Sequence, residues 1–247
     1  MMRSDAGVVD PNCVKCTDRV ITHQRMWWEV IVAACTCTGC TIIHSLVKSR
    51  LRWTTDHNLI YFTLHSLLNA YVCQSVYPHV LQTLDTGRFV SSASGLATGQ
   101  YRCVSVICGF HLYHIVTQST RLSLSDWLHH LISVGASAYL LVKCDHAIGC
   151  ATLFFLCGLP GLVDYLVLIG QKVGWVPRLT QKHVSSLVHI TVRVPGVLWC
   201  CFLAYQIGLE HPNRVYFFVT CVLSATNGLY FGYDAVCSYG KALASTS

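Results

Sequence analysis

Residues 103–118 (CVSVICGFHLYHIVTQ) and 126–143 (DWLHHLISVGASAYLLVK) are two apolar stretches joined by a short polar segment. Each stretch carries two histidines, His111 and His114 on the first and His129 and His130 on the second. Ionisable groups are costly in hydrocarbon, and in transmembrane helices they face the interior of a bundle. The two stretches therefore predict neighbouring transmembrane helices with a polar site between them.

The composition of the whole chain is typical of an integral membrane protein. Hydrophobic residues make up 53% of the 247 residues and charged residues only 11%, against about 25% charged in soluble domains. The apolar residues form continuous blocks near bilayer-spanning length, without the alternation of a barrel. We therefore expect an all-α polytopic transmembrane bundle with about seven spans. They are predicted near residues 27–47, 58–82, 103–119, 126–143, 147–169, 184–208 and 215–236.

The predicted domain organisation follows these spans. A polar N-terminal tail (1–26) precedes two transmembrane helices (27–84), a five-helix core (100–237) and a polar C-terminal tail (238–247). The net charge of +6 is spread over nearly all loops, as at a lipid headgroup boundary, so no nucleic-acid partner is expected. The expected partners are the bilayer and its lipids, while membrane orientation and homo-oligomerisation stay open.

The spacing of polar residues predicts where the site lies. His111 and His114 share one face of a helix. Asp126 is expected to cap the next helix, with Ser125 as the other cap candidate. His129 and His130 follow and border the same intramembrane cavity.

Two later spans each contain a proline that is expected to bend the helix. Asp164 follows Pro160 on one span, and His189 and Arg193 precede Pro195 on the next. A buried arginine needs a partner, and Asp164 is the expected one because it is the deepest carboxylate. The cavity is thus predicted to be lined by His111, His114, Asp126, His129, His130, Asp164, His189 and Arg193.

Three polar residues outside this set receive structural interpretations. His65 and Asn69 lie four residues apart on the second span and are interpreted as interhelical hydrogen-bonding groups. His44, near the end of the first span, is expected to extend toward the headgroups beside Lys48.

Four segments resemble the core of the TLC superfamily, which includes TRAM, the longevity-assurance ceramide synthases and the neuronal lipofuscinosis protein. They are GFHLYHIV, DWLHHLISVGASAYLL, CGLPGLVDYLVL and VHITVRVPGVL, within about residues 100–208. The resemblance implies a lipid-associated protein of the endoplasmic reticulum or a related internal membrane, with a link to sphingolipid metabolism. His129 and His130 match the family's histidine pair, whereas Asp126 and Asp164 match its acidic positions only loosely. His114 stands where many members have aspartate.

A weaker resemblance connects the chain with fatty acid elongases. FHLYH resembles their HxxHH box, and TLDTGRF a segment upstream of it. Ile115 stands where that box has its last histidine, so the TLC resemblance is preferred.

Three functions follow as hypotheses. The first is binding, sensing or distributing membrane lipids in the polar cavity. The second is acyl transfer from acyl-CoA to a lipid amine, as in ceramide synthesis, with His129 or His130 as base or acyl acceptor and Asp126 or Asp164 orienting it. The third is proton relay or transport along the polar residues.

The sequence leaves open whether the chain is an enzyme. No resident cofactor or metal is expected, although a metal held by the four histidines is an alternative.

Overall fold

Long helices make up the part of the chain that the computed structural model describes, which is residues 23–50, 57–86, 96–143, 148–210 and 214–245. These residues contain seven helices and no strand. Four are continuous: α1 (His23–Arg50), α2 (His57–Thr86), α3 (Leu96–Gln118) and α4 (Leu124–Lys143). A 3-10 turn, Ser119–Arg121, joins α3 to α4. The all-α prediction is confirmed for the described residues.

The last three helices include two that are interrupted. α5 consists of Ile148–Leu153, a π-helical turn at Phe154–Gly158 and Leu159–Lys172. α6 consists of Arg178–Val188, a π-helical turn at His189–Arg193 and Val194–Glu210. α7 runs without interruption over Arg214–Ala244.

Three of the described helices are long and apolar enough to cross a membrane. These stretches are Trp27–Arg50, Ala151–Lys172 and Arg178–Leu209. Their outer surfaces expose large apolar side chains, among them Leu46, Leu166 and Leu198, which lipid would cover. The total of seven spans stays a prediction.

Two predicted boundaries differ from the structure. α7 continues to Ala244, so the expected C-terminal tail (238–247) begins as helix. This segment contains the good helix formers Ala, Leu and Lys, and the Tyr239 ring contacts His183 of α6 at 5.0 Å. α3 begins at Leu96, before the predicted start of the five-helix core at residue 100. Most of the N-terminal tail, residues 1–22, lies outside the described residues.

The two π-helical turns lie directly before the two prolines. The N–H of Leu159 donates to the carbonyl of Phe154, and the N–H of Val194 donates to that of His189, each five residues back. Pro160 and Pro195 are the next residues. Because a proline lacks an N–H and clashes with the carbonyl four residues earlier, a wider turn accommodates it. The irregularity predicted at each proline therefore takes the form of a π turn.

The apolar core occupies one end of the bundle. It unites five helices through residues that include Val72 and Val76 of α2, Cys103 and Ile107 of α3, Ala151 and Phe154 of α5, Cys200 and Ala204 of α6 and Phe217 of α7. The polar residues of α3, α6 and α7 lie toward the other ends of the same helices. The core therefore aligns α3, α6 and α7, which carry part of the site, without occupying it.

α1 is joined to α3 by two buried polar contacts. Ser105 donates its hydroxyl proton to the Glu29 carboxylate over 2.7 Å, and Nδ1 of His44 lies 2.6 Å from the Tyr113 hydroxyl. The expectation that His44 extends toward the headgroups is wrong, since this side chain is only 6% exposed. The physical reason is that Tyr113 is fully buried, and a buried phenol hydroxyl needs a partner.

Candidate functional site

Four histidines of α3 and α4 form one cluster, which we call the histidine cluster: His111, His114, His129 and His130. His130 is its centre and is 4% exposed. Its Nδ1 lies 2.8 Å from Nδ1 of His111, and its Nε2 lies 2.7 Å from Nδ1 of His114. The i, i+3 spacing puts the two α3 residues on one face, and the short turn after α3 brings α4 back beside them. The ring of His129 lies 5.5 Å from that of His111 and 5.4 Å from that of His130.

The two short contacts of His130 fix how protons are arranged in the cluster. A neutral imidazole has one N–H donor and one acceptor nitrogen. Both N–H···N bonds can therefore form only if the two donors point in the same direction along the series His111, His130 and His114. We call this series the three-histidine chain. One outer Nε2 of this three-histidine chain then carries a proton and the other carries a lone pair. Reversing both bonds exchanges these two ends.

His129 is oriented from α6 and α7. Arg193 donates from Nη2 to Oδ1 of Asn227 over 2.7 Å, and a guanidinium has no acceptor. The Asn227 amide nitrogen must therefore face His129, whose Nδ1 lies 3.2 Å away. Because that nitrogen of Asn227 can only donate, Nδ1 of His129 accepts. Neutral His129 thus carries its proton on Nε2.

Arg193 has a partner other than the expected one. Besides its bond to Asn227, its guanidinium lies 4.8 Å from the centre of the Phe231 ring, a cation–π distance. Asp164 is paired instead with His189, whose Nε2 lies 3.6 Å from Oδ2 of Asp164. The predicted Asp164–Arg193 ion pair is wrong among the described residues, because His189 already lies against this carboxylate.

Asp126 belongs to the start of α4 and not to the hydrogen bonds of the histidine cluster. Its Oδ2 accepts from the backbone N–H and the hydroxyl of Ser123 over 2.9 and 2.7 Å, while its own N–H donates to the Ser123 hydroxyl over 3.2 Å. This reciprocal arrangement is a capping box with Ser123 as the N-cap. Ser125 and Asp126 were therefore the wrong cap candidates, and within the described residues no histidine bonds to Asp126.

Aromatic stacking extends the site into α2. The Tyr61 ring stacks on His114 at 4.4 Å, and the His65 ring stacks on Tyr165 of α5 at 4.0 Å. Asn69 is buried, and neither of its amide atoms has a hydrogen-bond partner among the described residues. The interhelical hydrogen bond predicted for Asn69 is therefore not formed there, and Nδ1 of His65 likewise has no hydrogen-bond partner among these residues. His65 contributes ring contacts instead.

The structure thus brings four predicted residues together and places the others around them. His111, His114, His129 and His130 form the cluster, and Arg193 reaches it through Asn227. Asp164 and His189 form a separate pair. Asn227, Phe231 and Tyr61 were not predicted. Asn227 had a detectable signal, because it is an amide side chain within the apolar run VLSATNGLYF of residues 222–231.

Three histidines of the cluster lie close together, as the ligands of a metal ion would. Nitrogens of His111, His129 and His130 all lie within 4.8 Å of one another. A tetrahedral zinc with Zn–N bonds of about 2.0–2.1 Å would hold its nitrogens about 3.4 Å apart. The His111–His130 contact of 2.8 Å is shorter than that and is a hydrogen-bond distance. A metal would have to open this contact, so the metal alternative stays a prediction.

No protein-family model, no curated protein and no solved structure matches this chain. Membership of the TLC superfamily accordingly stays a prediction based on the segments quoted above.

Proposed function

We propose that this chain is a multi-pass membrane protein with a TLC-like core that binds membrane lipids, with the histidine cluster receiving the polar headgroup. The proposed location is the endoplasmic reticulum or a related internal membrane. Support comes from the three membrane-length apolar helices and from a polar cluster lying among helices that expose apolar side chains. Residues that line a polar site inside a membrane protein are a functional hypothesis by default.

The observation that carries the proposal is the hydrogen-bonded series from Arg193 through Asn227 to His129. It holds a positive charge beside the cluster and makes Nε2 of His129 a donor. Within the described residues, no carboxylate hydrogen-bonds to a cluster histidine. A site with donors, a fixed cation and no bonded carboxylate favours an oxygen-rich headgroup over a lipid amine.

Lipid mass spectrometry on protein purified in mild detergent tests the proposal. The wild type is compared with His129→Ala/His130→Ala and with His183→Ala. His183 is exposed and contacts Tyr239 instead of the cluster, so its variant removes an imidazole without touching the site. A specific lipid retained by the wild type and by His183→Ala but lost from the double variant is the expected result. Equal lipid content in all three proteins would refute headgroup binding at the cluster.

Acyl transfer is the second candidate, and the three-histidine chain is the observation that favours it. An amine nitrogen attacking a thioester carbonyl forms the C–N bond, the C–S bond breaks, and the amine proton must leave. The three-histidine chain can take that proton at the Nε2 that carries a lone pair. It can return a proton from its other outer Nε2 to the departing thiolate. This assigns proton transfer to His111, His130 and His114.

The acyl-transfer candidate is tested by incubating the protein with a long-chain acyl-CoA and a sphingoid amine and measuring amide product. The expected result is product from the wild type and from Asp126→Asn, since Asp126 serves the capping box, and none from His130→Ala. Absence of product from a wild type that retains lipid would leave binding as the function.

A further inference from the structure

We infer that the histidine cluster binds the oxyanion headgroup of a lipid and takes up one proton as it does so, onto the chain formed by His111, His130 and His114. This inference rests on the proposed function and deepens it in two ways. It names the chemical class of the headgroup, and it makes binding depend on pH with a defined number of protons.

The charges around the cluster favour an oxyanion. α6 and α7 present Arg193 and its partner Asn227. α2 presents the uncharged Tyr61, which stacks on His114, and the titratable His65, whose ring stacks on Tyr165. The carboxylate nearest in sequence, Asp126 at the exposed start of α4, is bonded to Ser123. On α5, Asp164 lies against His189. On the described part of α1, the Glu29 carboxylate accepts a hydrogen bond from the Ser105 hydroxyl.

The hydrogen bonds limit the three-histidine chain to one additional proton. Three neutral imidazoles carry three protons, of which two lie in the bonds of His130 and one on an outer nitrogen. A fourth proton fits on the remaining outer nitrogen, and both bonds persist. A fifth would place two N–H groups against each other at 2.7 or 2.8 Å. The chain therefore accepts a single positive charge and shares it over three rings.

His129 does not share this capacity. A second proton on its ring would occupy Nδ1 and face the Asn227 N–H group 3.2 Å away. Asn227 cannot turn its oxygen toward His129 without losing the hydrogen bond from Arg193. His129 therefore contributes a neutral donor, and the added charge resides on the chain.

One added charge on the three-histidine chain, beside the fixed charge of Arg193, suits a singly charged oxyanion. When one proton has been taken up, both outer Nε2 atoms of the chain are donors, and Nε2 of His129 is another. An anion bound there offsets the new charge in a region of low dielectric, where electrostatic attraction is strong. Because proton and anion stabilise each other, each raises the affinity for the other.

The test is titration calorimetry on the full-length protein in detergent, with short-chain phosphatidylglycerol as the ligand. Its phosphodiester does not titrate near neutral pH, so any proton exchanged belongs to the protein. Runs in buffers of different ionisation enthalpy give the number of protons taken up per ligand bound. The control ligand is short-chain phosphatidylcholine, and inorganic sulfate serves as a free oxyanion.

The expected uptake rises with pH to one proton per phosphatidylglycerol and does not exceed one. Where the uptake has reached one proton, the affinity falls tenfold per pH unit, and at lower pH it changes less. Phosphatidylcholine should bind at least tenfold more weakly. Sulfate that binds as tightly as phosphatidylglycerol would overturn the lipid source and leave a free-oxyanion site.

Two variants locate the proton. His129→Gln should weaken binding while keeping an uptake of one, and His111→Gln/His114→Gln/His130→Gln should bind without proton uptake. Because the triple variant changes three residues of the cluster, one of them buried, it could fail to fold. The wild type and His129→Gln alone then keep the inference testable. Binding with no uptake, or with two protons, would refute the inference while headgroup binding stands. Failure of any lipid to be retained at the cluster would remove the proposed function itself.

Discussion

Gly232 of α7 packs so closely against α6 that a single methyl group should separate the two helices. A Cβ atom on Gly232 would lie 2.7 Å from Cγ2 of Val194, whereas ordinary van der Waals contact begins at 3.4 Å. The shortfall is 3.4 − 2.7 = 0.7 Å. Valine has one strongly preferred rotamer in a helix, so Val194 cannot easily turn away. In Gly232→Ala, α7 must therefore move outward.

Gly232→Ala changes the free energy of unfolding in two opposing ways. Overpacking a close contact costs about 1–3 kcal/mol, while replacing glycine by alanine inside a helix gains about 1 kcal/mol. Gly240→Ala is the matched control, because it makes the same change in the same helix and its Cβ would meet nothing within 4 Å. We expect Gly232→Ala to be about 1–3 kcal/mol less stable than Gly240→Ala.

The same displacement should weaken the site. An outward movement of 0.7 Å would lengthen the Arg193–Asn227 bond from 2.7 Å to about 3.4 Å, beyond the usual range for such a bond. Gly232→Ala should therefore retain less of the lipid bound by the wild type than Gly240→Ala does.

Thermal unfolding in detergent, followed with a thiol-reactive fluorophore, measures the stabilities, because Cys103 and Cys200 are fully buried and react only after unfolding. Val194→Ala removes the atom that Gly232→Ala would meet, so in that background the glycine change should become neutral or stabilising. Equal stability of Gly232→Ala and Gly240→Ala would refute the reasoning. So would a loss of stability from Gly232→Ala that is as large in the Val194→Ala background as in the wild type.

Three further predictions concern contacts outside the cluster. Ser123→Ala removes the N-cap of α4 and should cost about 1 kcal/mol, measured by the same unfolding assay. Asp126→Asn should leave lipid retention unchanged in mass spectrometry, and loss of the lipid would instead place Asp126 in the site. His44→Phe should cost about 1–3 kcal/mol because it removes the hydrogen bond between His44 and the buried Tyr113 hydroxyl. In the Tyr113→Phe background the same change should cost much less, and equal costs in both backgrounds would contradict the His44–Tyr113 bond.

The sequence was informative where local spacing decides the outcome. Continuous apolar blocks predict helices, because only a helix satisfies the backbone within one segment in lipid. The histidine cluster was predictable for a similar reason. The i, i+3 spacing of His111 and His114, the short turn and the adjacent His129 and His130 leave few ways to keep these groups apart.

The sequence was less informative where the outcome depends on how helices rotate against one another. The choice of Asn227 over Asp164 as the partner of Arg193 depends on how α5 and α7 sit around α6, and no local spacing encodes it. The predicted N-cap of α4 was wrong for a different reason. Ser123, Ser125 and Asp126 are all good N-cap residues, so composition alone could not choose among them.

The π turns of α5 and α6 have a consequence for how the lengths of these helices are compared. A turn closed by an i to i+5 bond contains one residue more than an α-helical turn. Each helix therefore holds one residue beyond what its rise requires, and side chains before and after the turn follow helical wheels offset by about 100°. A single helical-wheel projection of α6 would therefore assign the residues of one half to the wrong faces of the helix. A one-residue deletion within 154–158 or 189–193 is accordingly a natural form of length variation, and alignments of such helices are best anchored separately on either side of each turn.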